Sequence, residues 1–174
     1  MVNKIGLIML SFSEYLDTLH EKKADTGSFV SINISPKSKE EIFSFIKDLK
    51  LPSHTKKSDL HITLIYSKKT IDDKEWKGGK ISINETATPV KLSWLGDKND
   101  CLVILLKSDY LVKRNKYIIK TYGAISDYDK YTPHITLAYN LENYNIPTNI
   151  KLPSKLELVE ERYSALEEDW ADNK

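Results

Sequence analysis

Apolar positions along this chain change their period several times, and each change marks an element. Between residues 28 and 34, Phe29, Val30, Ile32 and Ile34 set up an alternation that predicts a strand. Ser35-Pro36 then opens a helix with apolar Ile42, Phe43, Phe45, Ile46 and Leu49. Serine is a good cap, proline suits the first turn, and Leu51-Pro52 ends the run. A strand at 61–66 follows, then two more near 80–84 and 89–95, and the turn at 96–100 leads into an apolar run at 102–107. The helical period returns over 109–122 with Leu111, Val112, Ile118 and Ile119, and Gly123 closes it. Pro133 stands at the head of a strand reaching Tyr139, residues 140–153 read as loop, and 156–163 alternates again. Ahead of all this, Ile5, Ile8, Phe12, Leu16 and Leu19 recur every three or four residues. Residues 1–24 therefore read as an amphipathic helical extension to a single domain at 25–174.

The elements from residue 28 form an α+β pattern of two lobes, each holding a strand, a helix and a further strand. Those further strands are near-duplicates. His61-Ile62-Thr63-Leu64-Ile65-Tyr66 recurs as His134-Ile135-Thr136-Leu137-Ala138-Tyr139, 73 residues on, with one apolar difference. On a strand, side chains two apart share a face, so His61 and Thr63 lie together, opposite Ile62 and Leu64; His134 and Thr136 repeat this. If a pseudo-twofold relates the lobes, the two motifs face each other across a central cleft.

Two facing histidines suit proton transfer. With an ordinary pKa of about 6.5, one imidazole accepts a proton from an attacking hydroxyl while the other protonates a departing oxygen. Threonine hydroxyls on the same face are placed to donate to the non-bridging oxygens of a phosphodiester, where negative charge grows. This chemistry asks for no metal or cofactor. The remaining histidines, His20 and His54, have no Cys or clustered Asp at ligand spacing around them.

Composition narrows the partners. A chain of 174 residues, 40% hydrophobic, buries a full core in one domain. Lys+Arg of 26 against Asp+Glu of 25 provides no long-range field for duplex nucleic acid. The Ile5 to Leu10 run is too short to span a membrane and has no small-residue cleavage site after it, so neither a membrane nor a leader is expected. The single cysteine, Cys101, begins an apolar run and reads as a buried strand thiol; a reducing, cytoplasmic compartment suits it.

The paired His-x-Thr strands resemble the signature of the 2H phosphoesterases, which include 2′–5′ RNA ligase-like proteins and cyclic phosphodiesterases. Further blocks resemble, more narrowly, the phage anti-CBASS nuclease family: Gly27-Ser28-Phe29-Val30, Leu60 to Ser67, Ser93-Trp94-Leu95-Gly96, Pro133 to Tyr139, and Glu161-x-Tyr163-Ser164-Ala165-Leu166 with Trp170. The resemblance spans about residues 25–170. It implies a bilobal fold of two antiparallel sheets with helices outside, and a phosphodiesterase that degrades cyclic di- and trinucleotide messengers of bacterial CBASS immunity in the host cytoplasm. It also implies that His61, Thr63, His134 and Thr136 form the catalytic set, that aromatic groups near Phe29 and Trp94 stack on bases, and that the C-terminal segment closes over the ligand. Phe29 stands where the family usually has tyrosine; it keeps the stacking face and loses a hydroxyl.

Other residues carry two readings each. Trp94 is a base platform or core, and Glu161 accepts from a base edge or faces solvent. Trp170, in an acidic tail, is a lid or a pin for the terminus. Trp76, in a polar stretch, reads as surface packing, and Lys113-Arg114-x-Lys116 as a face in water. Lys56-Lys57 and Lys68-Lys69 flank the first motif and read first as solvated charge pairs, with attraction of an anionic ligand as the lesser reading. Beside cyclic-nucleotide hydrolysis stand two alternatives: the same chemistry on RNA 2′,3′-cyclic phosphate ends, and a non-catalytic nucleotide sponge.

Overall fold

A computed structural model describes residues 27–166 apart from 97, 99 and 127. The extension expected at 1–24 and Trp170 lie outside the described residues. The alternating segment becomes β1 (Ser28–Ile34), and helix α1 (Pro36–Asp48) starts where Ser35 accepts from the Ser38 amide at 3.2 Å. Its Ile42, Phe45 and Ile46 are buried, the three-four spacing that one helical face requires. Then come β2 (Ile62–Ser67), β3 (Lys80–Leu95), β4 (Cys101–Lys107), α2 (Asp109–Tyr122), β5 (His134–Tyr139) and β6 (Leu156–Ala165). Helix α2 is capped by Ser108 and ends at Gly123, whose φ of 66° is the left-handed conformation glycine adopts without strain.

The two strands expected within 80–95 are one. Up to Ala87 this strand pairs with β6, and from Thr88 it pairs with β4, so it passes from one lobe's sheet to the other. Pro89 sits at the changeover beside a register shift, where a missing amide costs least. The gap between the two expected strands is where the strand changes partner.

All strand pairs are antiparallel, and the order β1-β2-β5-β4-β3-β6 closes on itself. The two lobes, β2-β1-β6 and β5-β4-β3, are thus joined into one ring. The seam between β2 and β5 is thin: a single pair, Ile62 with Ile135. One sheet face carries Val30, Ile32, Ile62, Ile104 and Ile135, all fully buried in a common core with Ile42, Ile46, Leu111 and Ile118 of the helices. The opposite face is available to a cleft.

Two sequence expectations fail here. Trp76 is not surface packing but is 2% exposed, stacked on Tyr163 with ring centroids 5.5 Å apart. Arg114 does not face water: its side chain is 13% exposed and bonds Glu161 and Glu75 at 2.8 and 2.7 Å. A polar local sequence cannot report that its apolar partners come from β6 and α2.

Candidate active site

Side-chain alternation about the Ile62–Ile135 pair decides where the motifs point. With both isoleucines in the core, His61, Thr63, His134 and Thr136 take the other face. Antiparallel register sets His61 toward Thr136 and Thr63 toward His134. All four line one cleft of about 490 Å³.

The two imidazoles are held alike. His61 Nδ1 lies 2.7 Å from the Asp59 carbonyl, and His134 Nδ1 lies 2.7 Å from the Thr132 carbonyl. A carbonyl only accepts, so each Nδ1 carries the proton and each Nε2 is the basic nitrogen of the neutral ring. Thr63 Oγ1 is 3.4 Å from His61 Nε2. Phe29 sets its ring edge-on to His61, centroids 5.7 Å apart, and also lines the cleft. Among the described lining residues there is no carboxylate, while Lys130 contributes a cation. The Lys130 cation favours an anionic ligand there. None of Lys56, Lys57, Lys68 and Lys69 lines it, and Lys57 is paired with Glu40.

Strict alternation would send Tyr66 and Tyr139 into the core. The structure sends both to the cleft, because each motif strand has a bulge directly after its threonine. Along β1 and β2, Val30 pairs with Ile65 and Ser31 with Thr63, so Leu64 is the extra residue. Along β4 and β5, Leu102 pairs with Ala138 and Val103 with Thr136, so Leu137 is the extra one. A bulge reverses which face the following residues take. Leu64 and Ile65, like Leu137 and Ala138, are consecutive buried residues, after which tyrosine turns out. Tyr66 pairs with Phe29 across one wall, while Tyr139 pairs with Cys101, itself opposite Leu95, across the other. Cys101 is thus a half-buried cleft residue rather than a core thiol. The identical placing of tyrosine in both motif copies was the sequence signal for these walls.

Glu161 and Trp94 depart from the roles expected of them. Glu161 pairs with Ile32 and Ile81, on the core face, and is fully buried. Its carboxylate accepts from Trp76 Nε1 at 2.7 Å, from Arg114 Nε at 3.0 Å and Nη2 at 2.8 Å, and from Tyr110 at 3.3 Å. Those donors occupy it, and it does not line the cleft. Trp94 pairs with Leu102, the register partner of Ala138, on the face opposite Leu95 and Cys101. It does not line the cleft; Leu95 and Gly96 form that end instead. The loop before β5 adds Ser126, Tyr128, Lys130, Tyr131 and Thr132 to the cleft, residues with no periodic pattern to betray them.

No group of three His, Cys, Asp or Glu among the described residues is arranged to hold a metal ion. Among them, too, no helix is long and apolar enough to cross a membrane.

A family profile described as anti-CBASS protein Acb1 matches residues 26–173. The chain belongs to that family. Relatives bearing the same description include a protein of Yersinia phage phiR1-RT, 32% identical over 95% of this chain and 99% of its own length. Another, from Enterobacteria phage T4, is 29% identical over 87% of this chain and 96% of its own length. Solved structures of similar shape include E. coli LigT complexed with NADP+, at TM-score 0.56 and 15% identity over 79% of this chain and 85% of that one. A protein described as a phosphoesterase matches at TM-score 0.55 and 13% identity, covering 79% of this chain and 86% of that one. The fold is that of the 2H phosphoesterases, α+β with two lobes about a central cleft.

Proposed function

We propose that this anti-CBASS family member is a phosphodiesterase that opens small cyclic oligonucleotides, such as 3′,3′-cGAMP, and so silences the messenger on which CBASS immunity depends. The observation that carries the reading is the pair of imidazoles, each fixed in the Nδ1–H tautomer, in one cleft. A ribose 2′-hydroxyl attacks the adjacent phosphorus and passes its proton to one Nε2. The 5′-oxygen leaves with a proton from the other ring, held as imidazolium. The product is a linear nucleotide ending in a 2′,3′-cyclic phosphate. Water then opens this to a 3′-phosphate, with the two rings exchanging roles. Thr63 and Thr136 donate to the non-bridging oxygens as their charge grows. Because both proton transfers are made by side chains, the reaction needs no metal or cofactor.

The site's near-symmetry supports a ligand that is itself nearly symmetric, with two bases and two phosphates. Phe29 with Tyr66 on one wall, and Tyr139 on the other, provide a ring surface for each base. The test is chromatography of 3′,3′-cGAMP incubated with the protein in EDTA. Linear product that disappears with His61→Ala and His134→Ala supports the reading. Unaltered nucleotide released from heated protein identifies a sponge, and turnover that EDTA abolishes refutes the proton-transfer scheme.

A further inference from the structure

The two motif strands are held to each other by almost no ladder, and each carries a bulged residue with no register partner in its own sheet. Leu64 has no partner on β1, and Leu137 has none on β4. A buried carbonyl must still be satisfied. In both cases a donor comes from the stretch of chain that leads into the other motif strand. Asn115, on α2 and 5% exposed, donates Nδ2 to the Leu64 carbonyl at 2.8 Å. The Thr55 amide, in the connection between α1 and β2, donates to the Leu137 carbonyl at 2.7 Å. A third bond joins them: Tyr131, in the connection before β5, donates its hydroxyl to the Thr63 carbonyl at 3.0 Å.

Tyr131 precedes Thr132, whose carbonyl accepts from His134 Nδ1. One short segment therefore grips the backbone of the first motif and the ring of the second. We propose that Asn115 and Tyr131 are positioning residues, forming with Thr55 a reciprocal clasp that sets the separation of the two imidazoles. The role rests on the catalytic reading above, since only a reaction using both rings at one phosphorus demands that separation. The single Ile62–Ile135 pair cannot set it alone, because one pair is a pivot. Bonds on either side of a pivot remove its freedom. Misplacement of reacting groups by about 1 Å can cost on the order of a hundredfold in rate.

The experiment compares Asn115→Leu and Tyr131→Phe with wild type, using single-turnover cleavage, thermal melts and the 15N and 13C resonances of the His61 ring. Asn115→Leu keeps the volume and removes the donor; Tyr131→Phe removes one hydroxyl. The clasp requires kcat to fall about 10- to 100-fold per folded molecule with KM little changed. It also requires the His61 ring resonances to move, although both substitutions lie in the stretch of chain that leads into the other motif strand. A lowered melting temperature with unchanged kcat and unmoved His61 resonances overturns the proposal, leaving both residues merely structural. Should Asn115→Leu not fold, Tyr131→Phe decides by the same readouts. If wild type cleaves no cyclic nucleotide, the catalytic reading falls; the His61 resonances then still decide whether the bonds hold the ring across the seam.

Discussion

Replacing Glu161 by glutamine separates a structural carboxylate from a ligand-binding one. The carboxylate is fully buried and accepts from Arg114, Trp76 and Tyr110. Glutamine keeps the volume and one acceptor oxygen but leaves the guanidinium, 13% exposed, with Glu75 as its remaining anionic partner at 2.7 Å. Removing one member of a buried ion pair costs about 3–5 kcal/mol. The surviving Glu75 bond and the retained oxygen put the expected loss near the lower end, about 3 kcal/mol. For a chain of this size that lowers Tm by roughly 6–12 °C, at about 2–4 °C per kcal/mol. The assay pairs a thermal melt with initial rates on 3′,3′-cGAMP well below the melting transition. The expected result is a depressed Tm with KM unchanged. A Tm within about 2 °C of wild type, joined to a rise in KM of roughly tenfold, would place Glu161 against the ligand and refute its assignment to the core.

Further outcomes follow from the cleft and its supports. His61→Ala and His134→Ala should each lower kcat by about 10²–10⁴-fold, measured by product chromatography; retained turnover in either removes that ring from the chemistry. Thr63→Val and Thr136→Val should cost about 10²–10³-fold in kcat with little change in KM. Tyr66→Ala and Tyr139→Ala should instead raise KM or Kd, by about 1–3 kcal/mol per lost stacking surface, read by calorimetry with a non-hydrolysable cyclic dinucleotide. Equal affinity would return both rings to a packing role. Burial raises the Tyr131 phenol above its ordinary pKa of about 10. A folded-state pKa above the unfolded one means stability present below about pH 10 and lost as pH climbs toward the folded value. Urea melts from pH 8 to 11 should therefore show an alkaline decline that is shallower in Tyr131→Phe; an unaltered slope contradicts the burial argument.

Much of this protein was legible from residue order alone, because period and capping are local properties. The alternation of β1, the Ser35-Pro36 start of α1 and the Gly123 end of α2 depend on neighbours within a few positions. The duplicated His-x-Thr strand also revealed which four side chains share a face, since alternation needs no knowledge of the partner strand.

What tertiary structure decided was every feature in which one strand answers to another. The change of partner within β3 comes from closure of the ring, which no local pattern encodes. The bulges at Leu64 and Leu137 reverse alternation mid-strand and bring Tyr66 and Tyr139 to the cleft, because the lobes must diverge beyond a single pair. Glu161, Trp76 and Arg114 look polar or solvent-facing in isolation, yet pack together because segments up to 85 positions apart meet at one place. Residue order determined the chemical groups and the faces they share; only contact between distant segments determined which of those faces meet a ligand and which meet the core.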